Sequence, residues 1–104
     1  MPLPDRLVLE LTRLRTGNDP DAAAQVRMLN YQYGLHTQRA RTCLTHGLVR
    51  AKRIQDDGGK ATLLAADTVR NLWKQAAWEV EERKLIVRDM RRLVLSKSRT
   101  LLLV

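Results

Sequence analysis

Few residues in this chain have the chemistry of a catalytic or metal site. His36 and His46 are ten residues apart, and neither has a cysteine or carboxylate at the spacing of a metal ligand set. The single cysteine, Cys43, excludes an internal disulfide and a cysteine-rich zinc site, and is typical of a small core position. We therefore expect no metal and no cofactor, and a binding protein rather than an enzyme.

Two further motifs are weaker than they look. The run Gly58-Gly59-Lys60-Ala61-Thr62 has the residue types of a phosphate-binding loop, but it lacks the spaced first glycine and the Gly-Lys-Ser/Thr order. The paired carboxylates Asp56 and Asp57 precede the glycine pair, where a turn is sufficient to explain them. Neither motif predicts catalysis.

The charge pattern is more informative. The chain has a formal net charge of +8, and no acidic residue stands between Asp21 and Asp56. That interval carries six cationic side chains: Arg27, Arg39, Arg41, Arg50, Lys52 and Arg53. A stretch of one charge sign repels itself and suits a polyanionic partner, whereas the alternative is a simple solvated face. We expect nucleic acid as the partner.

The first elements are helices. Residues 5–15 predict an amphipathic helix with Leu7, Leu11 and Leu14 along one stripe and Leu3 before it. Residues 16–20 break the pattern. Asp19 is expected to cap a second helix that has Pro20 at its first position, where the missing N–H costs nothing.

Residues 47–67 predict a β-hairpin followed by a helix. Two extended runs, 48–55 and 60–66, flank the turn 56–59, whose glycines supply the positive φ angles of a tight hairpin. Asp67 is placed to cap a helix that begins at Thr68. An alternative stays open, because the first run does not alternate cleanly and its apolar spacing also suits a helix.

This order of elements resembles the winged helix-turn-helix of the MarR and PadR families of transcription regulators. The likeness covers residues 19–80 at most and rests on the interval from Leu29-Asn30 to Gly47-Leu48-Val49 and on the hairpin. It implies a turn at Asn30 and a recognition helix over residues 33–46. Gly34 near the start of that helix, and His36 at a position usually taken by a β-branched apolar residue, depart from the family pattern.

The resemblance implies binding to double-stranded DNA, with the helix in the major groove and the wing on the backbone. The base-reading candidates are Thr37, Gln38, Arg41 and Thr42. The phosphate-binding candidates are Arg39, Arg50, Lys52, Arg53 and Lys60.

Beyond Asp67 the apolar residues follow a heptad-like seam, which predicts a helix too long for a small winged domain to cover. We therefore predict a homodimer through Val69, Trp73, Ala76, Val80, Val87, Met90 and Val94. The apolar end, residues 100–104, is expected to pack across the same interface. The predicted organisation is a winged helix-turn-helix over residues 1–66 and a dimerisation helix over 67–104, in a mainly α fold.

The expected function is sequence-specific DNA binding by a dimeric transcription regulator in the cytoplasm, without membrane contact. The alternative is an all-helical hairpin or coiled-coil interaction protein, in which helix two continues through Asn30 to Asp57. In that case the run LTRLRTGNDPDAAAQVRMLNYQYGL is similar to the helix–turn–helix of type III secretion needle and rod proteins. The basic face would then bind an acidic partner.

Overall fold

A computed structural model describes the backbone of residues 3–60 and 62–103, and the side chains of these residues as far as Ser98. Over these residues the chain forms three α-helices and no strand: α1 (Asp5–Thr16), α2 (Pro20–Asp56) and α3 (Leu63–Leu103). Because the described residues contain no strand for a wing, the predicted winged helix-turn-helix is wrong. The side chains of the predicted apolar end, residues 100–104, lie outside the described set.

The helix-turn-helix fails because α2 runs without interruption through Asn30 and Gly34. No non-glycine residue in the described ranges has a positive φ, so Asn30 does not form the left-handed turn that the resemblance implied. Inside a helix, asparagine costs at most about 0.7 kcal/mol and glycine about 1 kcal/mol relative to alanine. Packing of a long apolar stripe outweighs that cost, and residues 33–46 are the middle of one helix.

The wing fails for a related reason. Residues 48–55 belong to α2, and α3 begins at Leu63, so Asp67 lies inside a helix instead of capping one. The helical spacing of Leu48, Ala51 and Ile54 prevails over the weak strand alternation. Thr62 is the actual cap, since its hydroxyl accepts a hydrogen bond from the Ala65 backbone N–H at 3.1 Å.

The turn after α2 lies where the sequence predicts it, although it joins two helices. Gly58 and Gly59 have φ angles of 83° and 77°. The Gly59 N–H donates to the Ile54 carbonyl at 2.9 Å and the Gly58 N–H to the Gln55 carbonyl at 3.1 Å. This is a Schellman motif, which satisfies carbonyls at the end of α2 and requires a residue with positive φ.

The chain divides into two compact units, one of Met1–Gly34 with Arg83–Val104 and one of Leu35–Glu82. In the first unit the predicted helix α1 packs its leucines onto α2 and α3. The core there consists of seven buried side chains: Leu7, Leu11, Val26, Leu29, Ile86, Met90 and Leu93. Leu3 and Leu14 pack against this core.

Two polar contacts hold the first unit in register. The Asp19 carboxylate caps α2 by accepting hydrogen bonds from the Asp21 and Ala22 backbone N–H groups, both at 3.1 Å. Its other oxygen accepts from Lys97 of α3 at 2.7 Å. Near the other end of the unit, the Arg83 guanidinium donates to the Tyr33 hydroxyl at 2.7 Å and lies over the same ring.

The second unit pairs the later part of α2 with the first part of α3, in opposite directions. Its buried apolar side chains are Ala40 on α2 and Val69 and Ala76 on α3, none of them larger than valine. Gly47 is also buried, and the Trp73 indole lies directly over its Cα. Among the described residues of 35–82 there is no third helix, so this pair has less apolar cover than the first unit.

Candidate interaction surface

The predicted base-reading residues lie on the middle of α2, which is a solvent-facing helix in the second unit. Gln38, Arg41 and Thr42 are exposed, and Thr37 is half-buried. The Thr42 hydroxyl donates to the Gln38 carbonyl one turn earlier at 3.0 Å, an ordinary bond for a helical threonine. The structure therefore keeps three of the four on one exposed surface, but on a continuous helix instead of a separate recognition helix.

The predicted phosphate-binding residues are all exposed, but no wing carries them. Arg39, Arg50, Lys52 and Arg53 lie on α2, and Lys60 lies in the connection to α3. Arg39, Arg50 and Arg53 lie on one side of the helix, because the spacings of eleven residues from Arg39 to Arg50 and three from Arg50 to Arg53 are close to whole numbers of turns. Arg41 and Lys52 share the outer face by the same spacing.

The six cations from Arg39 to Lys60 form no ion pair within the described parts of the chain, although the charge of Arg39 helps to lower the pKa of the buried Glu79 carboxyl. No ion pair or hydrogen bond to a carboxylate involves any of Arg39, Arg41, Arg50, Lys52, Arg53 or Lys60 among the described residues. Some cations elsewhere are paired, such as Arg13 with Glu10 at 3.1 Å and Arg70 with Asp67 at 2.8 Å. The acid-free interval thus presents its charge to the solvent.

One buried polar pair stands on the side of the helix pair next to Arg39. The His36 Nδ1 hydrogen bonds with a Glu79 carboxylate oxygen, and the other oxygen accepts from Gln75 at 3.1 Å. The Glu79 side chain is 2 % exposed. The Trp78 ring packs edge-on against His36, with ring centroids 5.9 Å apart.

Two effects act on the Glu79 carboxyl in opposite directions. Its burial raises the pKa, because a charge is costly away from water, whereas the hydrogen bonds from His36 and Gln75 stabilise the carboxylate and lower the pKa. The hydrogen bonds prevail, and the pKa lies below the ordinary glutamate value. Glu79 is therefore a charged group held inside the second unit.

The His36–Glu79 pair was not predicted from the sequence. A signal for it was present, since Glu79 follows Ala76 by three residues and so falls on the buried stripe of α3. A carboxylate at a core position needs a partner, and a histidine is a suitable one. Which histidine it meets depends on how α2 and α3 align, and that alignment is a property of the folded chain.

The opposite side of the α2–α3 pair in the second unit is apolar and open. One side of the α2–α3 pair carries a surface depression, which is lined by Arg39 and Cys43 of α2 and by Gln75 and Glu79 of α3. At 3.6 residues per turn, the opposite side of the pair carries large apolar groups from both helices. These are Leu44, Leu48, Trp73 and Val80, with exposed fractions of 46, 64, 45 and 36 %. We call this surface the apolar flank.

The predicted dimer residues fall into two groups. Val69, Ala76 and Met90 are buried within the chain itself, Met90 completely, and Val87 and Val94 pack on the core of the first unit. Only Trp73 and Val80 remain substantially exposed. The seam of α3 is covered largely by α2 and α1, because α2 has 37 residues and is almost as long as α3 with 41.

Neither a metal site nor a membrane span is found in the described part of the chain. No cluster of three or more histidine, cysteine, aspartate or glutamate side chains there could hold a metal ion. None of its helices combines the length and the apolar character that crossing a bilayer requires. Comparison with protein-family models, curated proteins and solved structures returned no match.

Proposed function

We propose that the protein is an all-helical interaction module that binds an acidic protein partner through the second half of α2. One observation carries the proposal. Four exposed cations on this part of α2, Arg41, Arg50, Lys52 and Arg53, form no ion pair among the described residues, and the helix has no acidic residue between Asp21 and Asp56. Unpaired cations of one sign attract and orient a partner of the opposite sign.

A protein partner suits this surface better than a nucleic acid. Leu44, Leu48 and Val49 are exposed between the cations. Protein–protein interfaces combine apolar groups with arginine, whereas surfaces that bind a phosphate backbone are more polar. The helix-turn-helix that would have placed a reading helix in the major groove is not formed. Duplex DNA is therefore the competing outcome of the test.

The test is binding of a glutamate-rich peptide, measured by fluorescence anisotropy over a range of salt concentrations. The variant Arg41→Glu with Lys52→Glu reverses two α2 charges. The matched control Arg6→Glu with Arg15→Glu reverses two exposed cations on α1. Both pairs lower the formal net charge from +8 to +4, since each substitution changes it by −2.

We expect the α2 variant to bind the peptide roughly 5- to 30-fold more weakly, from ~0.5–1 kcal/mol for each reversed charge, and the α1 control to bind like the parent protein. The affinity of the parent should fall as salt rises. If both variants lost the same affinity for the peptide, the effect would depend only on net charge, and the proposal would be overturned. Tighter binding of a duplex DNA oligonucleotide than of the peptide would replace the protein partner by DNA.

A further inference from the structure

The first unit shows how this chain covers a pair of its own helices. There α2 and α3 receive the amphipathic helix α1, which has 12 residues and buries Leu7 and Leu11. These leucines join the core formed by side chains of both longer helices. A third short helix with one apolar stripe is thus the element that completes such a pair.

The second unit lacks that element. Its apolar flank leaves Leu48 64 % exposed, and Trp73, whose indole lies against Gly47, is still 45 % exposed. Ala40 and Ala76 are buried and small, so they add little apolar surface to the pair, and the large apolar groups of the flank remain exposed.

The α2 edge of the flank is cationic. Arg41 stands one turn before Leu44, and Lys52 stands one turn after Leu48. Both are exposed and have no ion pair with any described residue. They are eleven residues apart, which corresponds to ~16 Å along the helix at 1.5 Å per residue. On the α3 edge, Arg70 is already paired with Asp67 at 2.8 Å.

We infer that the apolar flank of the second unit binds an amphipathic helix of the partner, of about three turns, with an apolar stripe and acidic residues along the edge that faces α2. Leucine-sized groups of that helix pack between Leu44, Leu48 and Trp73. Its carboxylates lie beside Arg41 and Lys52. This is helix-in-groove recognition, in which apolar anchors give affinity and charges at the rim give orientation. The inference rests on the proposed function and specifies the partner's form.

A second copy of this chain is a less suitable occupant. α2 has no acidic residue between Asp21 and Asp56, so the same edge of a second copy would bring cation against cation. Like charges placed opposite one another oppose association. Self-association through this surface is accordingly an outcome that the experiment must detect.

The experiment uses Trp73 as a reporter in the whole 104-residue chain. The chain has two tryptophans, and Trp78→Phe leaves Trp73 as the only one while it keeps an aromatic ring against His36. The probe is a synthetic peptide with leucines at helical spacing and glutamates along one edge of that stripe. A peptide of the same composition in scrambled order is the control, because it has the same charge without the stripe.

We expect the striped peptide to shift the Trp73 emission to shorter wavelength and to bind more tightly than the scrambled peptide. Leu48→Gln should weaken this binding about tenfold, because a leucine that becomes buried contributes roughly 1.5 kcal/mol or more. Leu95→Gln is the matched control, since Leu95 is similarly exposed but lies in the first unit. Far-UV circular dichroism verifies that both variants remain helical.

Three results would overturn the inference, and each has a different consequence. In the first, the striped and scrambled peptides bind equally, and this binding is lost in the double variant Arg41→Glu with Lys52→Glu but kept in Leu48→Gln. That result would leave the proposed function intact and rule out the groove. No effect of the charge variant and no Trp73 shift would remove both. A Trp73 shift that depends on protein concentration alone, and that Leu48→Gln abolishes, would make the flank a homodimer interface.

Discussion

Two glycines inside α2 allow a sharp test of its packing. Gly34 and Gly47 both lie within the helix, but a methyl group added at Gly34 would meet nothing within 4 Å. A methyl group added at Gly47 would lie 2.4 Å from the Trp73 Nε1 and 2.7 Å from its Cδ1. Such distances are below any normal contact, so the indole would have to move. The same substitution to alanine therefore has different consequences at the two positions.

The magnitudes follow from two opposing effects. In a helix interior, alanine is more favourable than glycine by about 0.8–1 kcal/mol, so Gly34→Ala should raise the free energy of unfolding by that amount. Gly47→Ala has the same gain but adds overpacking, which costs about 1–3 kcal/mol. We expect Gly47→Ala to be neutral or destabilising by up to about 2 kcal/mol. The difference between the two variants measures the contact with Trp73.

The assay is urea unfolding followed by far-UV circular dichroism, with the Trp73 emission of the Trp78→Phe background as a second readout. In that background Gly47→Ala should shift the emission to longer wavelength, because the displaced indole becomes more exposed. Equal stabilisation by both substitutions would show that Trp73 does not lie over Gly47. A destabilising Gly34→Ala would contradict a helix that continues through residue 34, because only a non-helical glycine is favoured there.

Two further predictions concern buried groups. Because the pKa of Glu79 is lowered, its stabilising effect is present above the ordinary value of 4.5 and is lost as pH falls through the lower native value. The free energy of unfolding of the parent should therefore drop more between pH 7 and pH 3 than that of Glu79→Gln, and equal drops in urea titrations would refute the pairing with His36. Met90→Ala should cost about 2–5 kcal/mol because Met90 is fully buried, whereas the exposed Leu95→Ala should change stability by less than about 0.5 kcal/mol. The Met90→Ala loss should not vary with protein concentration, and a loss that grows on dilution would support the homodimer predicted from the seam.

The features read correctly from the sequence are those decided by neighbouring residues. The stripe of α1 and the cap at Asp19 followed by Pro20 were confirmed, because each depends on residues within about one turn of each other. The turn at Gly58-Gly59 was located for the same reason, since a positive φ favours glycine whatever the turn connects.

The wing was predicted wrongly because local signals did not distinguish it from a helix. Leu48, Ala51 and Ile54 fit a helical stripe, and the glycine pair ends a helix as readily as it ends a strand. The local pattern does not include the effect of α3, whose long apolar face is buried only by an element of similar length. α2 is long enough to bury it only because it remains helical from Pro20 to Asp56. Burial of that face outweighs the cost of a glycine at position 34.

By itself the sequence determined the α1 stripe, the place where α2 begins, the turn at Gly58-Gly59 and the acid-free interval from Asp21 to Asp56, because these depend on residue type and short spacing. Only the tertiary structure decided that Glu79 meets His36, that Met90 is buried within its own chain, and that Leu48 stays exposed. These outcomes depend on which faces of α2 and α3 come together. Side chains as far apart along the chain as positions 36 and 79 become neighbours only when the helices pack, and packing is set by the sum of all the buried contacts.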